Sequence, residues 1–475
     1  MTNDHDSCGS SCQGRGYSRR ALLKATTAGF GYLAFQALFA GEALATAPQD
    51  AADPLAPKAP HFPPRAKRVI YLCMRGAPSH VDTFDYKPKL FQDGGKDTPD
   101  GNRRGYSKLL APPWKFKQHG KSGLWISELF PETAMHADEL CLLRGMHTDV
   151  PAHAPAFVQM HTGSFQFTRP SLGAWALYGL GTENQNLPGF ITIKPTTANG
   201  GARNYGSAFL PAIFQGTRLG AEGRPVEQAE LENVENPRLT AKRQRAQLDL
   251  IQALNRDRLK RDKKNADVEG VIESYELAFR MQGDVPGVMD ISKETAATKK
   301  LYGIDETGTD DFGRQCLLAR RLIEAGVRFV EVSAGQWDQH RDLKNGHERN
   351  ARAVDRPIAG LIADLKQRGT LKDTLILWGG EFGRTPGAQN ADGRDHNHKG
   401  FTMWMAGGGV KGGMSHGATD DYGFEAVEKK LHVHDLHATI LHLLGIDHTR
   451  LTYKYAGRDF RLTETSGTVA QEILA

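Results

Sequence analysis

Short apolar segments that alternate with helical patterns constrain the fold of this chain more than any other feature. The apolar runs cover residues 68–74, 140–143, 189–193, 327–332, 374–378 and 401–405. Between several of them apolar residues recur with helical spacing, most clearly over 316–325 and 351–367. Short, continuously apolar runs are typical of strands that are buried on both faces. The alternation therefore predicts an α/β fold with a large, mostly parallel sheet sandwiched between helices.

The N-terminus has the features of an export signal. Residues 18–24 read SRRALLK, a twin-arginine start, and the apolar run that follows over 25–40 is too short for a good membrane span. It ends in Ala-Leu-Ala at 43–45, so we expect 1–45 to be a cleaved signal peptide, with an uncleaved anchor as the alternative. Use of the twin-arginine translocase predicts a periplasmic or secreted protein that folds, or takes up a cofactor, before crossing. No stable membrane span is expected in the mature form.

The rest of the chain is long enough for one large α/β domain. Residues 46–66 are rich in Pro and Ala and are predicted to be a mobile linker, and 67–475 to be the domain. Residues 225–283 are dense in charged side chains with apolar residues at helical spacing, which predicts a helical insertion over 225–305. That insertion could pack beside the sheet as a lid, or form a solvated surface hairpin.

Charge and cysteine content exclude several classes of protein. The net charge is +5 and basic residues are matched by nearby acids, so nothing favours a nucleic-acid partner. Cys8 and Cys12 precede the twin arginines and would leave with the signal peptide. The remaining three, Cys73, Cys141 and Cys316, lie far apart, which predicts neither a disulfide framework nor a cysteine zinc motif. Cys73 and Cys141 fall inside apolar runs and are expected to be small buried hydrophobic residues.

Ligand-type side chains follow two of the predicted strands. Asp82 comes shortly after the first, although a lone Asp is more often a turn or helix-cap residue. Asp338 and His340 follow 327–332, and residues two apart in extended backbone point the same way. A carboxylate with a neutral imidazole is a ligand set for zinc, manganese or iron. These two strand ends are therefore compatible with a metal site, although an Asp and a His two residues apart also occur often by chance.

Further groups follow the 374–378 strand. A glycine-rich turn directly after it carries Glu381 and Arg384, and glycines let the backbone approach a ligand closely. Residues 393–398 read GRDHNH, and we expect this polar loop to supply ligands rather than ordinary surface. Its candidate residues are Arg394, Asp395, His396 and His398. Because the carboxyl ends of parallel strands meet at one edge, all these groups are predicted to converge on one or two divalent ions, zinc, manganese or calcium.

Several of these segments together resemble a family of secreted bacterial proteins catalogued as domain of unknown function 1501. The resemblance spans nearly all of the mature chain and depends on residues 76–85, 335–340, 379–386, 393–398, 406–413 and 434–445; the most specific part is WGGEFGRTP at 378–386. That family is similar to the alkaline-phosphatase-like superfamily, which includes sulfatases, phosphodiesterases and cofactor-independent phosphoglycerate mutases. The resemblance implies a parallel sheet between helices, with one or two divalent metals at the strand ends.

The resemblance also implies particular metal ligands. They are Asp82, Asp338, either His340 or the later His347, Glu381, and His398 with His396 as the competing choice. The C-terminal segment resembles the sulfatase ending, in which a helix packs under the sheet, so His434, Asp435 and His437 are expected to be structural.

Two departures from the pattern bear on mechanism. Phe382 stands where the resemblance would place a second histidine ligand. His153, followed by Ala154-Pro155 and later by Thr162-Gly163, occupies the nucleophile's position in sulfatases. An imidazole there can be phosphorylated, bind metal or act as a general base, and a role as an additional metal ligand is preferred.

The sequence thus predicts an exported, metal-dependent hydrolase of sulfate or phosphate esters. Its substrate would be a small-molecule or polysaccharide ester, and Arg384 or Arg394 would stabilise the charge that develops in the reaction. The alternative is a catalytically inactive, metal-stabilised binding or scaffold protein of the same fold. A nucleotide-dependent oxidoreductase is disfavoured, because no glycine fingerprint follows the first strand.

Overall fold

The computed structural model describes residues 53–99, 108–229, 238–262 and 266–475. The predicted signal peptide, 1–45, lies outside these ranges, as do residues 46–52. Of the described residues, 238–262 belong to one compact unit and all the others to a second, larger unit. Within the same ranges, every helix is too short or too polar to serve as a membrane span.

The strands, in chain order, are β1 (Arg68–Met74), β2 (Phe116–His119), β3 (Leu124–Ser127), β4 (Leu140–His147), β5 (Phe190–Ile193), β6 (Thr217–Leu219), β7 (Phe329–Ala334), β8 (Thr374–Gly379), β9 (Gly383–Gln389), β10 (Gly393–Asn397), β11 (Phe401–Gly407), β12 (Met414–His416), β13 (Ala418–Thr419), β14 (Ala426–Glu428), β15 (Leu431–His432), β16 (Tyr453–Tyr455) and β17 (Arg458–Phe460). The α-helices are α1 (His80–Thr83), α2 (Pro88–Gln92), α3 (His153–Thr162), α4 (Leu172–Leu180), α5 (Ala241–Asp262), α6 (Ala266–Met289), α7 (Ala296–Leu301), α8 (Asp310–Glu324), α9 (Leu343–Gln367) and α10 (Val433–Leu443). Helix α5 is the helix in the described part of the smaller unit.

A central sheet organises the larger unit. Its strand order is β12–β4–β11–β8–β1–β7–β5–β6, and β15 also pairs with β4. All neighbouring pairs are parallel except those of β11, which runs antiparallel to both β4 and β8. The six predicted strands correspond to β1, β4, β5, β7, β8 and β11, and the two clearest predicted helices to α8 and α9. The predicted α/β fold, a mostly parallel sheet flanked by helices, is confirmed.

Both faces of the sheet are covered, as the continuous apolar runs require. Every residue of β1 after Arg68 is buried. On one face Trp378 stacks on Trp404, with ring centroids 5.8 Å apart, and Phe84 packs edge-on against Trp378. On the other face the ring of Tyr71 lies against His161 of α3. Aromatic packing of this kind buries large apolar areas and stabilises the centre of the sheet.

The topology brings several loops to one edge of the sheet. Strands β7 and β8 are parallel to β1, and β4 is parallel to β8 because β11 lies antiparallel between them. The loops that follow β4, β7 and β8 therefore lie at the same carboxyl edge. The 393–398 segment, predicted to be a loop, is instead mostly strand β10, which pairs with β9 in a hairpin that has a bulge between Arg394 and His396.

The predicted linker and the predicted helical insertion both lie outside the central sheet. The described part of the predicted linker, 53–66, has no helix or strand but is fixed to the domain: Leu55 is buried, and the amides of Lys58 and Arg65 donate to Leu180 O and Leu443 O. The 225–305 insertion contains α5, α6 and α7. Apolar residues of α6 join the main core, so α6 is not a solvated hairpin arm.

Candidate metal centre

Four side chains converge at the carboxyl edge of the sheet. His153 begins α3, Asp338 and His340 follow β7, and His396 lies on β10; one ligand atom of each lies within 4.8 Å of all the others. Asp338 Oδ1 is 3.1 Å from His153 Nε2, 2.9 Å from His340 Nε2 and 3.4 Å from His396 Nε2. Ligand atoms around a tetrahedral zinc with bonds of about 2.0–2.1 Å lie about 3.3 Å apart. The spacing is therefore that of a first coordination sphere.

A buried carboxylate fixes the orientation of His153. Glu381 is fully buried, and its Oε1 lies 2.5 Å from His153 Nδ1. The Gly76 amide also donates to Glu381, at 3.1 Å. A carboxylate oxygen only accepts hydrogen bonds, so the proton lies on Nδ1 and Nε2 is left facing the cluster. Glu381 thus supports a candidate ligand.

The other two histidines are oriented in the same way. His340 Nδ1 donates to Gln389 Oε1, and His396 Nδ1 donates to Pro151 O at 2.6 Å. Both partners are acceptors, so the Nε2 atoms of these rings also carry lone pairs toward the cluster. An imidazole whose Nδ1 proton is held by an oxygen is the usual arrangement of a histidine that binds metal through Nε2.

Without a cation these lone pairs would repel one another. His340 Nε2 and His396 Nε2 are 2.9 Å apart, and both face Asp338 Oδ1. His153 Nε2 is buried and makes no hydrogen bond. Burial lowers the pKa of His153, but Asp338 and Glu381 outweigh it and raise the pKa to about 9, so a proton competes for the position. The donor set fits a divalent cation, whose binding would release that proton.

Arg384 holds Asp338 in place. Its guanidinium is fully buried and donates from Nη2 to Asp338 Oδ1 at 2.6 Å, while Nε donates to Ala77 O and Nη2 also donates to Gly76 O. Burial raises the pKa of Asp338, but the facing rings of His153 and His396 and the charged, hydrogen-bonded Arg384 guanidinium hold it well below its usual range. Arg384, predicted to stabilise charge on the substrate, is instead a positioning residue with no exposed surface.

Asp82 and Arg394 form a separate ion pair. Both are fully buried, with Arg394 Nε 2.6 Å from Asp82 Oδ2 and Nη2 3.0 Å from Oδ1. Arg394 also donates to Thr385 O, Pro386 O and Leu110 O. The predictions that Asp82 binds metal and that Arg394 stabilises the reaction do not fit this geometry, because each side chain is neutralised by the other. The pair ties α1 to the β9–β10 hairpin.

Other predicted ligands lie around the cluster rather than in it. Asp395 Oδ1 accepts from the His396 amide and is 3.8 Å from His340 Nδ1, on the side of that ring away from the cluster. His398, predicted as the last ligand, accepts a hydrogen bond from Thr148 N through its carbonyl, and its competitor His396 is the histidine in the cluster. Buried His347 accepts from Ser79 N through Nε2 instead.

Phe382 and a glycine shape the site without contributing ligands. The Phe382 ring centroid lies 4.9 Å from that of His153 and 4.7 Å from that of His396, so this residue forms an apolar wall. A Cβ at Gly393 would lie 2.1 Å from the backbone carbonyl of His340, so only glycine permits this approach. Gln389 and the Pro151 carbonyl were missed by sequence reasoning, because neither a lone Gln nor a main-chain oxygen has a sequence signature.

The cluster opens to solvent on one side. The Asp338 side chain is 42% exposed and that of His340 is 33% exposed, whereas Glu381 and Arg384 behind them are fully buried. A partly exposed set of candidate ligands therefore rests on a fully buried layer.

The predicted structural role of the C-terminal helix agrees with its contacts. His434 Nε2 and His437 Nε2 bond to Gly163 O and Met160 O of the α3 region. Asp435 forms a capping box with His432 at the start of α10.

The chain matches one protein-family model and is similar to several solved structures. A family model described as protein of unknown function (DUF1501) matches residues 66–474. No curated protein sequence matches. Among solved structures the chain is similar to the PsFucS1 sulfatase from Pseudoalteromonas sp. (13% identity, TM-score 0.35, covering 80% of this chain and 68% of that one). It is also similar to the lipoteichoic acid synthase LtaP from Listeria monocytogenes (9% identity, TM-score 0.37, covering 86% of this chain and 78% of that one). A third similar structure is a TAB5 alkaline phosphatase mutant (12% identity, TM-score 0.31, covering 72% of this chain and 92% of that one).

Proposed function

The chain belongs to the DUF1501 family of proteins of unknown function, and we propose that it is an exported, metal-dependent hydrolase of phosphate or sulfate esters. One observation carries the proposal: four ligand atoms face one another at an open edge of the sheet, and every histidine among them is held with Nε2 inward. Export to the periplasm or beyond is supported by the twin-arginine start and the Ala-Leu-Ala cleavage sequence.

The cation would be held by His153, Asp338, His340 and His396. It would neutralise the ester oxygens and lower the pKa of a water molecule. Three imidazole nitrogens with one carboxylate favour zinc, manganese or iron, and disfavour calcium, which prefers oxygen ligands.

The protein's own residues prepare the site for this chemistry. Glu381 orients His153, and Arg384 keeps Asp338 ionised and directed at the cluster. Because His153 is a ligand in this proposal, it does not form a phosphorylated intermediate. The exposed side of Asp338 and His340 is where a small or polysaccharide ester would approach. Fully buried Arg384 and Arg394 do not contact it.

One observation favours the second candidate, a metal-stabilised binding protein. Four protein ligands fill a tetrahedral zinc site completely, as in structural zinc sites, whereas catalytic sites keep one position open. The exposure of Asp338 favours the hydrolase instead, because an ion that takes five or six ligands retains positions for water and substrate on that side.

Metal analysis combined with an ester panel separates these functions. We expect the purified mature protein to contain a divalent metal and to hydrolyse at least one class among aryl phosphate monoesters, aryl phosphate diesters and aryl sulfates. His396→Ala should lose the EDTA-exchangeable metal and the hydrolysis, and His398→Ala, a matched control two residues away, should keep both. A protein that binds metal but leaves every ester intact with zinc, manganese or iron would support the binding protein. Unchanged metal content in His396→Ala would reject both candidates.

Export is tested separately. Replacing Arg19 and Arg20 by lysines should retain the protein in the cytoplasm of a bacterial host, as measured by cell fractionation. Unchanged secretion of that variant would contradict the twin-arginine route.

A further inference from the structure

A second group of ligand-type side chains lies within the core of the domain. Cys73 of β1, His161 of α3 and Glu331 of β7 each place one ligand atom within 4.8 Å of the other two. Their exposed fractions are 0%, 4% and 3%. None of the three takes part in the cluster at the sheet edge, so their proximity needs its own explanation.

The sheet register puts these residues on one face. β1 and β7 are parallel, with Tyr71 opposite Glu331 and Cys73 opposite Ser333. Side chains alternate along a strand, so Tyr71, Cys73 and Glu331 point to the same side. Helix α3 covers that side, and the ring of His161 lies 5.7 Å from that of Tyr71.

The hydrogen bonds of His161 leave Nε2 directed at the cluster. His161 Nδ1 lies 2.7 Å from Phe157 O, which only accepts, so Nδ1 carries a proton. Buried Nε2 is at ion-pair distance from Glu331 Oε2, 3.2 Å, without the geometry of a hydrogen bond, so a proton on Nε2 and a cation compete for the space between them. The Tyr71 hydroxyl is also buried and lies beside the Cys73 thiol. Buried polar atoms without hydrogen-bond partners are destabilising.

A divalent cation would satisfy these groups and balance their charge. A thiolate and a carboxylate carry two negative charges, and a neutral imidazole adds a third donor. A thiol that coordinates a metal loses its proton to solvent. Sulfur among the donors selects zinc-type ions over magnesium or calcium.

We propose that Cys73, His161 and Glu331 bind a second, structural Zn²⁺, with the Tyr71 hydroxyl beside them as the candidate fourth ligand. The site is closed on every side by the sheet and α3, so it takes up zinc as the chain folds and exchanges it only on unfolding. The cluster at the sheet edge is open and loses its ion readily. The two sites therefore differ in ligand type and in accessibility to chelators.

The experiment uses both differences. The full-length mature chain is refolded with excess Zn²⁺, treated with EDTA, and analysed for zinc content and for X-ray absorption at the zinc edge. We expect one EDTA-resistant zinc per chain with a sulfur neighbour at about 2.3 Å. Cys73→Ser should lose the resistant zinc, and Cys141→Ser, which alters another fully buried free cysteine, should keep it.

The wild-type spectrum decides the question even if Cys73→Ser does not fold. Folded wild-type protein with no EDTA-resistant zinc, or with resistant zinc that has only nitrogen and oxygen neighbours, would overturn the proposal. His396→Ala should remove the exchangeable ion and leave the resistant one. Loss of the edge site and loss of the core site are therefore separate results, and either proposal can fail alone.

Discussion

Replacing Glu381 by glutamine tests whether the buried carboxylate stabilises the metal centre. Glu381 accepts from Gly76 N at 3.1 Å and lies 2.5 Å from His153 Nδ1. Glutamine has nearly the same shape but no charge; its carbonyl oxygen can take the place of Oε1, which meets both donors, while its amide nitrogen replaces Oε2, 3.3 Å from Gly76 N. We therefore expect His153 to keep a hydrogen-bond acceptor at Nδ1 but to lose part of its basicity, and metal affinity to fall.

The size of the effect follows from the geometry. With the carboxylate about 6.5 Å from a divalent ion beyond the imidazole, and an effective dielectric of about 20, their attraction is about 5 kcal/mol. Part of this cancels, because Glu381 also stabilises the proton that the ion displaces from His153. Loss of such a partner typically weakens metal binding by about 10–100-fold, or about 1.4–2.7 kcal/mol, and we expect a value in that range.

The assay is a Zn²⁺ titration against a competing chelator, with circular dichroism to verify folding. The control is Glu294→Gln, which also removes a largely buried carboxylate, in this case one paired with Arg320 and Arg321. That variant should lower Tm without changing the Kd for zinc. A wild-type Kd in Glu381→Gln would refute the role assigned to this carboxylate.

Three further predictions concern packing and charge. Gly393→Ala should displace His340 and weaken zinc binding at least 10-fold by the same titration; unchanged affinity would contradict the close approach. Arg394→Met should lower the free energy of unfolding, measured with urea, by about 3–5 kcal/mol, because it leaves Asp82 unpaired. The double variant that adds Asp82→Asn should recover part of that loss. If the losses of the two single variants simply add in the double variant, the ion pair is refuted. Burial raises the pKa of Asp355 to about 6, so between about pH 4 and pH 6 the folded chain holds a proton that the unfolded chain has released. The unfolding free energy should therefore fall as pH rises through this window, and from pH 4.5 to 6.5 the wild type should lose about 2 kcal/mol more than Asp355→Asn; equal slopes would contradict the shift.

The central sheet could be predicted because the residues of its strands are mostly apolar. Strands buried on both faces are mostly apolar, as β1 and β8 are, and β7 departs from this pattern chiefly at Glu331. The β9–β10 hairpin could not be predicted in the same way. Its residues are mostly polar or glycine, and its pairing depends on hydrogen bonds to distant segments rather than on a hydrophobic pattern.

The candidate site was predicted in kind but not in detail. Asp338 and His340 follow a parallel strand end, where the rule that such ends meet predicts a site, whereas His396 reaches the cluster from the antiparallel β9–β10 hairpin. Asp82 has the same sequence signature as a ligand, yet a guanidinium more than 300 residues away in sequence takes up its charge. His396 rather than His398 lies in the cluster, directly after a bulge of β10 that the sequence pattern does not indicate.

Crystals of the mature protein grown with Zn²⁺, with anomalous data collected above and below the zinc edge, test the central claim most directly. We predict an anomalous peak about 2.0–2.2 Å from the Nε2 atoms of His153, His340 and His396 and from Asp338 Oδ1. A well-ordered cluster with no anomalous peak among these four atoms, in crystals that hold zinc elsewhere on the protein, would contradict it.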